Sequence, residues 1–137
     1  MAHERLRKFN MKDRYQGYVG QDIDFDLCMV VKAGNHVFLR GQTGTALDGT
    51  FAGDDPGDQA DQAMQNVKTL LEEAGSRLEH ICKITVYITD YDDREPVYRV
   101  LGRWFKGIHP CSTGLIVKGL AKPNLKMELD VEAIIPE

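Results

Sequence analysis

A chain of 137 residues, 42% hydrophobic and 28% charged, has the size and apolar content of one domain with its own core, taken here as residues 1–137. The formal net charge is −4 and the 17 Lys and Arg residues are spread along the chain, so the electrostatic footprint of a nucleic-acid binder is missing. No run approaches the roughly 18 apolar residues of a membrane span, and the charged start Met-Ala-His-Glu-Arg-Leu-Arg-Lys has no apolar stretch behind it, which predicts a cytoplasmic protein without a membrane partner. Cys28, Cys82 and Cys111 form no CxxC pair and leave an odd one out, which argues against a disulfide framework and a zinc cluster.

Residues 1–22 mix charge with Tyr15, Gly17, Tyr18 and Gly20 without a period, and read as an irregular N-terminal arm. Leu27 to Val31 is a short apolar strand. Ala33-Gly34-Asn35 suits a tight hairpin turn, and His36 to Arg40 returns as a second strand. Residues 48–57 are rich in Gly, Asp and Pro and predict a loop. A helix follows, with Asp58 as the expected N-cap, Ala60, Ala63, Val67, Leu70, Leu71 and Ala74 on one stripe, and Gly75 as its closing cap.

Ile84, Val86 and Ile88 then alternate with Thr85, Tyr87 and Thr89, a strand with one apolar face. Val97, Val100, Leu101, Trp104, Phe105 and Ile108 mark a second amphipathic helix, stopped by His109-Pro110. Leu115 to Val117 reads as a short strand. In the last strand Met127, Leu129, Val131 and Ala133 alternate with Glu128, Asp130 and Glu132, giving one oily and one acidic face. The order of elements predicts an α+β layer in which two helices cover one face of a mixed sheet, leaving the other, partly polar face to water or to another subunit.

No GxSxG, HExxH, P-loop or GxGxxG spacing occurs, so these signatures give no lead, and no His stands at ligand spacing from another His or Cys, so no metal is expected. Arg40 ends an otherwise apolar strand. Its guanidinium there either clamps a carboxylate in bidentate fashion or forms an ordinary salt bridge. Asp130 either positions water for attack on an electrophilic carbon or belongs to a solvated strand face. Gly41-Gln42-Thr43-Gly44 either offers backbone N–H groups to an anion or is a plain turn, and Cys111 is either a reactive thiol or a packing residue.

Taken together, four segments resemble the RidA family, also called YjgF or L-PSP, over nearly everything from Leu27 onward. Val37-Phe38-Leu39-Arg40-Gly41-Gln42 is similar to the family's hairpin ending in Ser-Gly-Gln, and Gln62 to Gly75 to its helix. Val86-Tyr87-Ile88-Thr89-Asp90 resembles the strand that follows, and Met127 to Ile134 the closing Glu-Ile-Glu-Ala strand. The resemblance implies a chorismate-mutase-like α+β fold, a homotrimer, and pockets between subunits that bind a small carboxylate- or carbonyl-bearing metabolite. It also implies cofactor-free hydrolysis of reactive enamines and imines, such as 2-aminoacrylate, to 2-oxo acids and ammonia.

Residue by residue the pattern departs from the family. Pro110-Cys111-Ser112-Thr113 stands where the family has Pro-Ala-Arg-Ser, so Ser112 occupies the place of the carboxylate-binding arginine. The family's helix asparagine falls on Tyr98, its early tyrosine on Leu27, and its first tail glutamate on Asp130, while the loop from Gly119 to Leu125 is longer than the usual Leu-Pro connection. Losing a bidentate charge contact costs on the order of 2–5 kcal/mol in comparable pairs. Arg40, which replaces the family's serine at the strand end, is the candidate substitute. The resulting expectation is an enamine/imine deaminase-like hydrolase with altered substrate range, in which Arg40 orients an acid or carbonyl group and Asp130 places water. Gly41, Gln42, Tyr98, Cys111, Ser112 and Thr113 line its pocket. The alternative is a non-catalytic ligand-binding or regulatory trimer, and an endoribonuclease fits the charge distribution least.

Overall fold

The computed structural model describes residues 2–14 and 22–137. Tyr15, Gly17, Tyr18 and Gly20 of the expected arm therefore lie outside the described residues. The strands are β1 (Glu4–Asn10), β2 (Asp26–Ala33), β3 (His36–Leu39), β4 (Ile81–Ile88), β5 (Cys111–Ile116) and β6 (Met127–Ile134). The helices are the single turn α1 (Met11–Arg14) and the longer α2 (Pro56–Glu73) and α3 (Arg94–Trp104). All six strands join one mixed sheet in the order β1-β2-β3-β6-β4-β5. Only β4 and β5 run parallel, joined by the crossover through α3.

The alternation read in β4 and β6 sorts their side chains as expected. Ile84, Val86 and Ile88 face the helices with Met127, Leu129, Val131 and Ala133, and these pack with Val37 and Leu39 of β3. Opposite them lie Ala60, Ala63, Met64, Val67, Leu70 and Leu71 of α2 and Val97, Val100 and Leu101 of α3, all buried. A 3.6-residue stripe closing on a period-two face gives one continuous core. The two helices are also tied by Trp104, whose indole Nε1 donates to Asp61 Oδ1 at 2.8 Å.

Three local readings change. Residues 4–10 of the expected irregular arm form β1, which pairs antiparallel with β2 from Glu4↔Lys32 to Asn10↔Asp26. Arg7 interrupts the alternation with a φ of 54°, which is why no period showed, and its guanidinium forms a two-pronged contact with Glu73 of α2 at 2.9 and 2.7 Å. The N-cap of α2 is Asp55, not Asp58: its carboxylate accepts from Gly57 N at 2.8 Å, and Pro56 takes the first helical position, where its missing N–H costs nothing. β5 begins at Cys111, four residues before the expected Leu115, because pairing with β4 starts at Lys83↔Cys111.

The loop between β3 and α2 is held from below by two buried amides of α2. Gln59 Nε2 donates to Gly53 O at 2.9 Å and to Asn124 O at 3.1 Å, and its Oε1 accepts from Lys126 N at 2.9 Å. Asn66 Nδ2 donates to Thr45 O at 2.8 Å. Gly44 lies so close to Gln59 that a Cβ there would meet the Gln59 side chain at 2.6 Å, so this approach needs glycine. Gln59→Leu keeps the volume but orphans two carbonyls and an N–H, and should lower stability by about 2–4 kcal/mol. A denaturant titration reads this as a lower midpoint with an unchanged slope.

Candidate functional site

The face of the sheet away from the helices carries the acidic row. Register pairs share a face, so Tyr87 stands beside Glu128, Thr85 beside both Asp130 and Thr113, and Lys83 beside Glu132 and Cys111. The Tyr87 hydroxyl donates to Asp130 Oδ2 at 2.9 Å, and Lys83 Nζ donates to Thr113 Oγ1 at 2.6 Å.

The chain leaving β3 runs along β6 at the same level. Gln42 and Leu129 exchange both backbone hydrogen bonds, at 2.9 and 2.8 Å, and the buried Gln42 side chain donates back to Arg40 O at 2.7 Å. This short bridge presses Gly41 against β6. A Cβ on Gly41 would collide with Glu128 Oε2 and lie 3.0 Å from Asp130 Oδ1, so the Glu128 carboxyl group occupies the space that the missing side chain leaves, with Asp130 beside it. The lack of a side chain matters here through close approach, not through the backbone dihedral.

A cavity of about 190 Å³ opens beside this point. Arg40, Gly41, Gln42 and Glu128 line it with Arg14 of α1 and Lys122 of the β5–β6 loop. That volume is below the range of drug-sized sites and suits a metabolite of a few heavy atoms. A shallower groove of about 900 Å³ spreads over β1, β2 and β3, with Phe9, Leu27, Met29 and Phe38 in its wall, and Arg40 belongs to both spaces. The Arg40 guanidinium lies 5.2 Å from the centre of the Phe9 ring. The smaller cavity brings Arg40 together with Glu128 of the acidic row, whereas in the wider groove the carboxyl group that shares the lining with Arg40 is Asp26.

Burial pushes the Glu128 carboxyl above the usual carboxylate range; the neighbouring Asp130 charge adds to this and Arg40 opposes it. The Tyr87 hydroxyl is held above its ordinary value, first by the hydrogen bond it donates to Asp130 and then by that residue's charge, so it keeps its proton and acts as a donor.

The structure brings Arg40, Gly41, Gln42 and Asp130 together. Cys111 and Thr113 share the outer face with Asp130 but stand two strands away, roughly 10 Å across. Ser112 pairs with the buried Ile84 and so points to the helix side. Tyr98 also lies on that side: its hydroxyl fills the space over Gly114 and its ring stacks beneath Arg94, 4.5 Å from the ring centre. Within one chain, then, Ser112 and Tyr98 face away from the acidic row. Glu128 and Tyr87 are the residues that sequence reasoning left out, although both stood in alternating patterns beside Asp130.

Two outcomes follow from this geometry. Gly41→Ala should cost little stability, since carboxylate ends swing aside, but should abolish binding of a small ligand in the cavity; calorimetry with small carboxylates and amines checks this. For Glu128, a raised folded-state pKa means that the folded chain binds more protons than the unfolded one, so stability falls as pH rises from about 4 through the raised value. Glu128→Gln should therefore raise the melting temperature at pH 7 and leave it unchanged below about pH 4.

The fold has counterparts among known proteins. The sequence profile of the family described as Endoribonuclease L-PSP matches residues 26–135. A RutC family protein of Pyrococcus horikoshii is 34% identical over 110 residues, covering 76% of this chain and 81% of its own length. A 2-iminobutanoate/2-iminopropanoate deaminase of Dermatophagoides farinae is 27% identical over 106 residues, covering 77% and 82%. The crystal structure of the YjgF gene product of E. coli superposes with a TM-score of 0.73 at 28% identity, covering 79% of this chain and 87% of that one. With its chorismate-mutase-like α+β sheet and a profile match from β2 through β6, the chain belongs to the RidA (YjgF/L-PSP) family.

Proposed function

We propose that the chain is an enamine/imine deaminase-like hydrolase acting on a small metabolite, with a substrate range altered from the family's usual one. The observation that carries this reading is the meeting of the Glu128 and Asp130 carboxyl groups over Gly41, beside a cavity that Arg40 and Glu128 line. Imine hydrolysis needs a grip on the substrate, protonation at nitrogen and delivery of water to carbon. Arg40 offers the grip in a cavity of suitable size, and Asp130, with one oxygen engaged by Tyr87, keeps Oδ1 toward Gly41 to take a proton from water. The deaminase among the relatives supports the reaction class.

The reading includes a homotrimer without cofactor, located in the cytoplasm. Phe38, Leu115 and Ile134 stand 40–46% exposed on or beside the uncovered sheet face, as side chains that a neighbouring subunit would cover. Among the described residues, no helix is long and apolar enough to cross a membrane. A second reading, a ligand-binding or regulatory trimer without chemistry, is favoured by Ser112, which replaces the family's arginine with a neutral side chain on the helix side of β5. An endoribonuclease is supported least, because the row Glu128, Asp130 and Glu132 would repel a phosphate backbone.

Ammonia release from freshly generated 2-aminoacrylate and from a few larger imino acids separates the first two readings. Turnover of at least one is expected, and none at all would leave the binding reading. Arg40→Ala should weaken a small carboxylate ligand by roughly thirtyfold or more, the equivalent of at least 2 kcal/mol, with the oligomeric state unchanged in light scattering.

A further inference from the structure

We propose that Glu128 is a second catalytic carboxyl group, the proton donor to substrate nitrogen, working opposite Asp130 as the base for water. The inference rests on the hydrolase reading above and goes beyond it by assigning the acid.

The geometry separates the two carboxyl groups by environment. They sit two residues apart on β6, on one face, and Glu128 Oε2 and Asp130 Oδ1 both lie against Gly41. Asp130 is half-buried and engaged by the Tyr87 hydroxyl at Oδ2, while Glu128 turns its oxygen into the wall of the 190 Å³ cavity. A substrate in the cavity meets Glu128 and Arg40 in its wall, with Asp130 Oδ1 next to the Glu128 carboxyl over Gly41. Two carboxyls whose surroundings differ in this way are the arrangement in which one donates and the other accepts a proton at the same pH. Desolvation of Glu128 in the cavity wall favours its protonated form and so supports the role.

The steps balance with water as the sole co-substrate. Glu128 gives its proton to the imine nitrogen. Water then adds to the imine carbon: the new C–O bond forms, the C=N π pair moves to nitrogen, and the water proton passes to Asp130 Oδ1. Asp130 returns that proton to nitrogen, the C–N bond breaks, and ammonia leaves. The hydroxyl proton goes to Glu128 as the C=O bond forms, so both carboxyl groups end in their starting states. Arg40 holds the acid or carbonyl group throughout and moves no proton.

The charged and titratable groups that face Glu128 are Asp130 on its own strand, Tyr87 on β4, Arg40 after β3, Arg14 on α1 and Lys122 in the β5–β6 loop. Those set the pH response, so the test compares pH profiles. The rate constant kcat for ammonia release is measured from pH 5 to 9 for the wild-type chain, Glu128→Gln, Glu128→Asp and Asp130→Asn, on the best imino acid substrate. Folding of each variant is checked by its melting curve.

The expected result is an alkaline limb in the wild-type profile that disappears in Glu128→Gln. That variant should lose about 10²–10⁴-fold in kcat with KM little changed, and Glu128→Asp should recover part of the loss. Asp130→Asn should lose the acidic limb instead. Wild-type rates in Glu128→Gln, with Arg40→Ala and Asp130→Asn still impaired, overturn the acid assignment and leave the hydrolase reading standing. A wild-type chain that releases no ammonia from any imino acid overturns both. An alkaline limb that persists in Glu128→Gln assigns the acid elsewhere and also overturns the proposal.

Discussion

Covering a sheet on one side only is the constraint from which the rest of this molecule follows. Once α2 and α3 claim Met127, Leu129, Val131 and Ala133, the pleat obliges Glu128, Asp130 and Glu132 to point the other way. Burial of the oily half of β6 thus holds the acidic half in place. The same parity acts on β5, where it turns Ser112 toward the helices and leaves Cys111 and Thr113 beside the acids. A face of this kind is stiff, because moving one carboxylate means slipping a strand whose buried residues resist it.

Beside this stiff face runs a loop with little regular structure, and its position depends on polar contacts. Gln59 and Asn66 are buried amides on a helix face that is otherwise apolar, and both donate to loop backbone, Asn66 also accepting from Gln62 of its own helix. They hold the loop at Thr45, Gly53 and Asn124, next to the stretch where the bridge between Gln42 and Leu129 fixes Gly41 over β6. Removing a buried amide is felt at the site as well as in stability, because the partners left behind have no water to turn to.

Most of the architecture was legible in the amino-acid order, since Ile84 to Ile88, Met127 to Ile134 and the stripes of both long helices carry clear periods. The first strand was not, because Leu6 and Phe9 are its only large apolar residues and Arg7 breaks their phase with a positive φ. Asp55 and Asp58 are both acidic and both precede apolar residues, so the start of α2 rested on Pro56, whose fixed φ suits the first helical position. Arg40, Gly41 and Asp130 were readable as candidates one by one. Their meeting was not, because the bridge between Gln42 and Leu129 spans 87 positions of sequence and leaves no local trace. The facing of Ser112 and Tyr98 was likewise hidden, since parity on β5 depends on where pairing with β4 begins.

The place of β6 in the sheet order has a consequence for how the chain acquires its site. It is the last strand in sequence, yet it lies between β3 and β4, with pairing partners on both sides. Until residues 127–134 are available, the two halves of the sheet have no seam, and α2 lacks much of the surface it packs on. The contacts that close the sheet are therefore long-range ones, of the sort that slows folding. Glu128 and Asp130 ride on that closing strand. A nascent or partly folded chain has no carboxyl pair to misdirect, and the chemistry of the site arrives in the same step that completes the core.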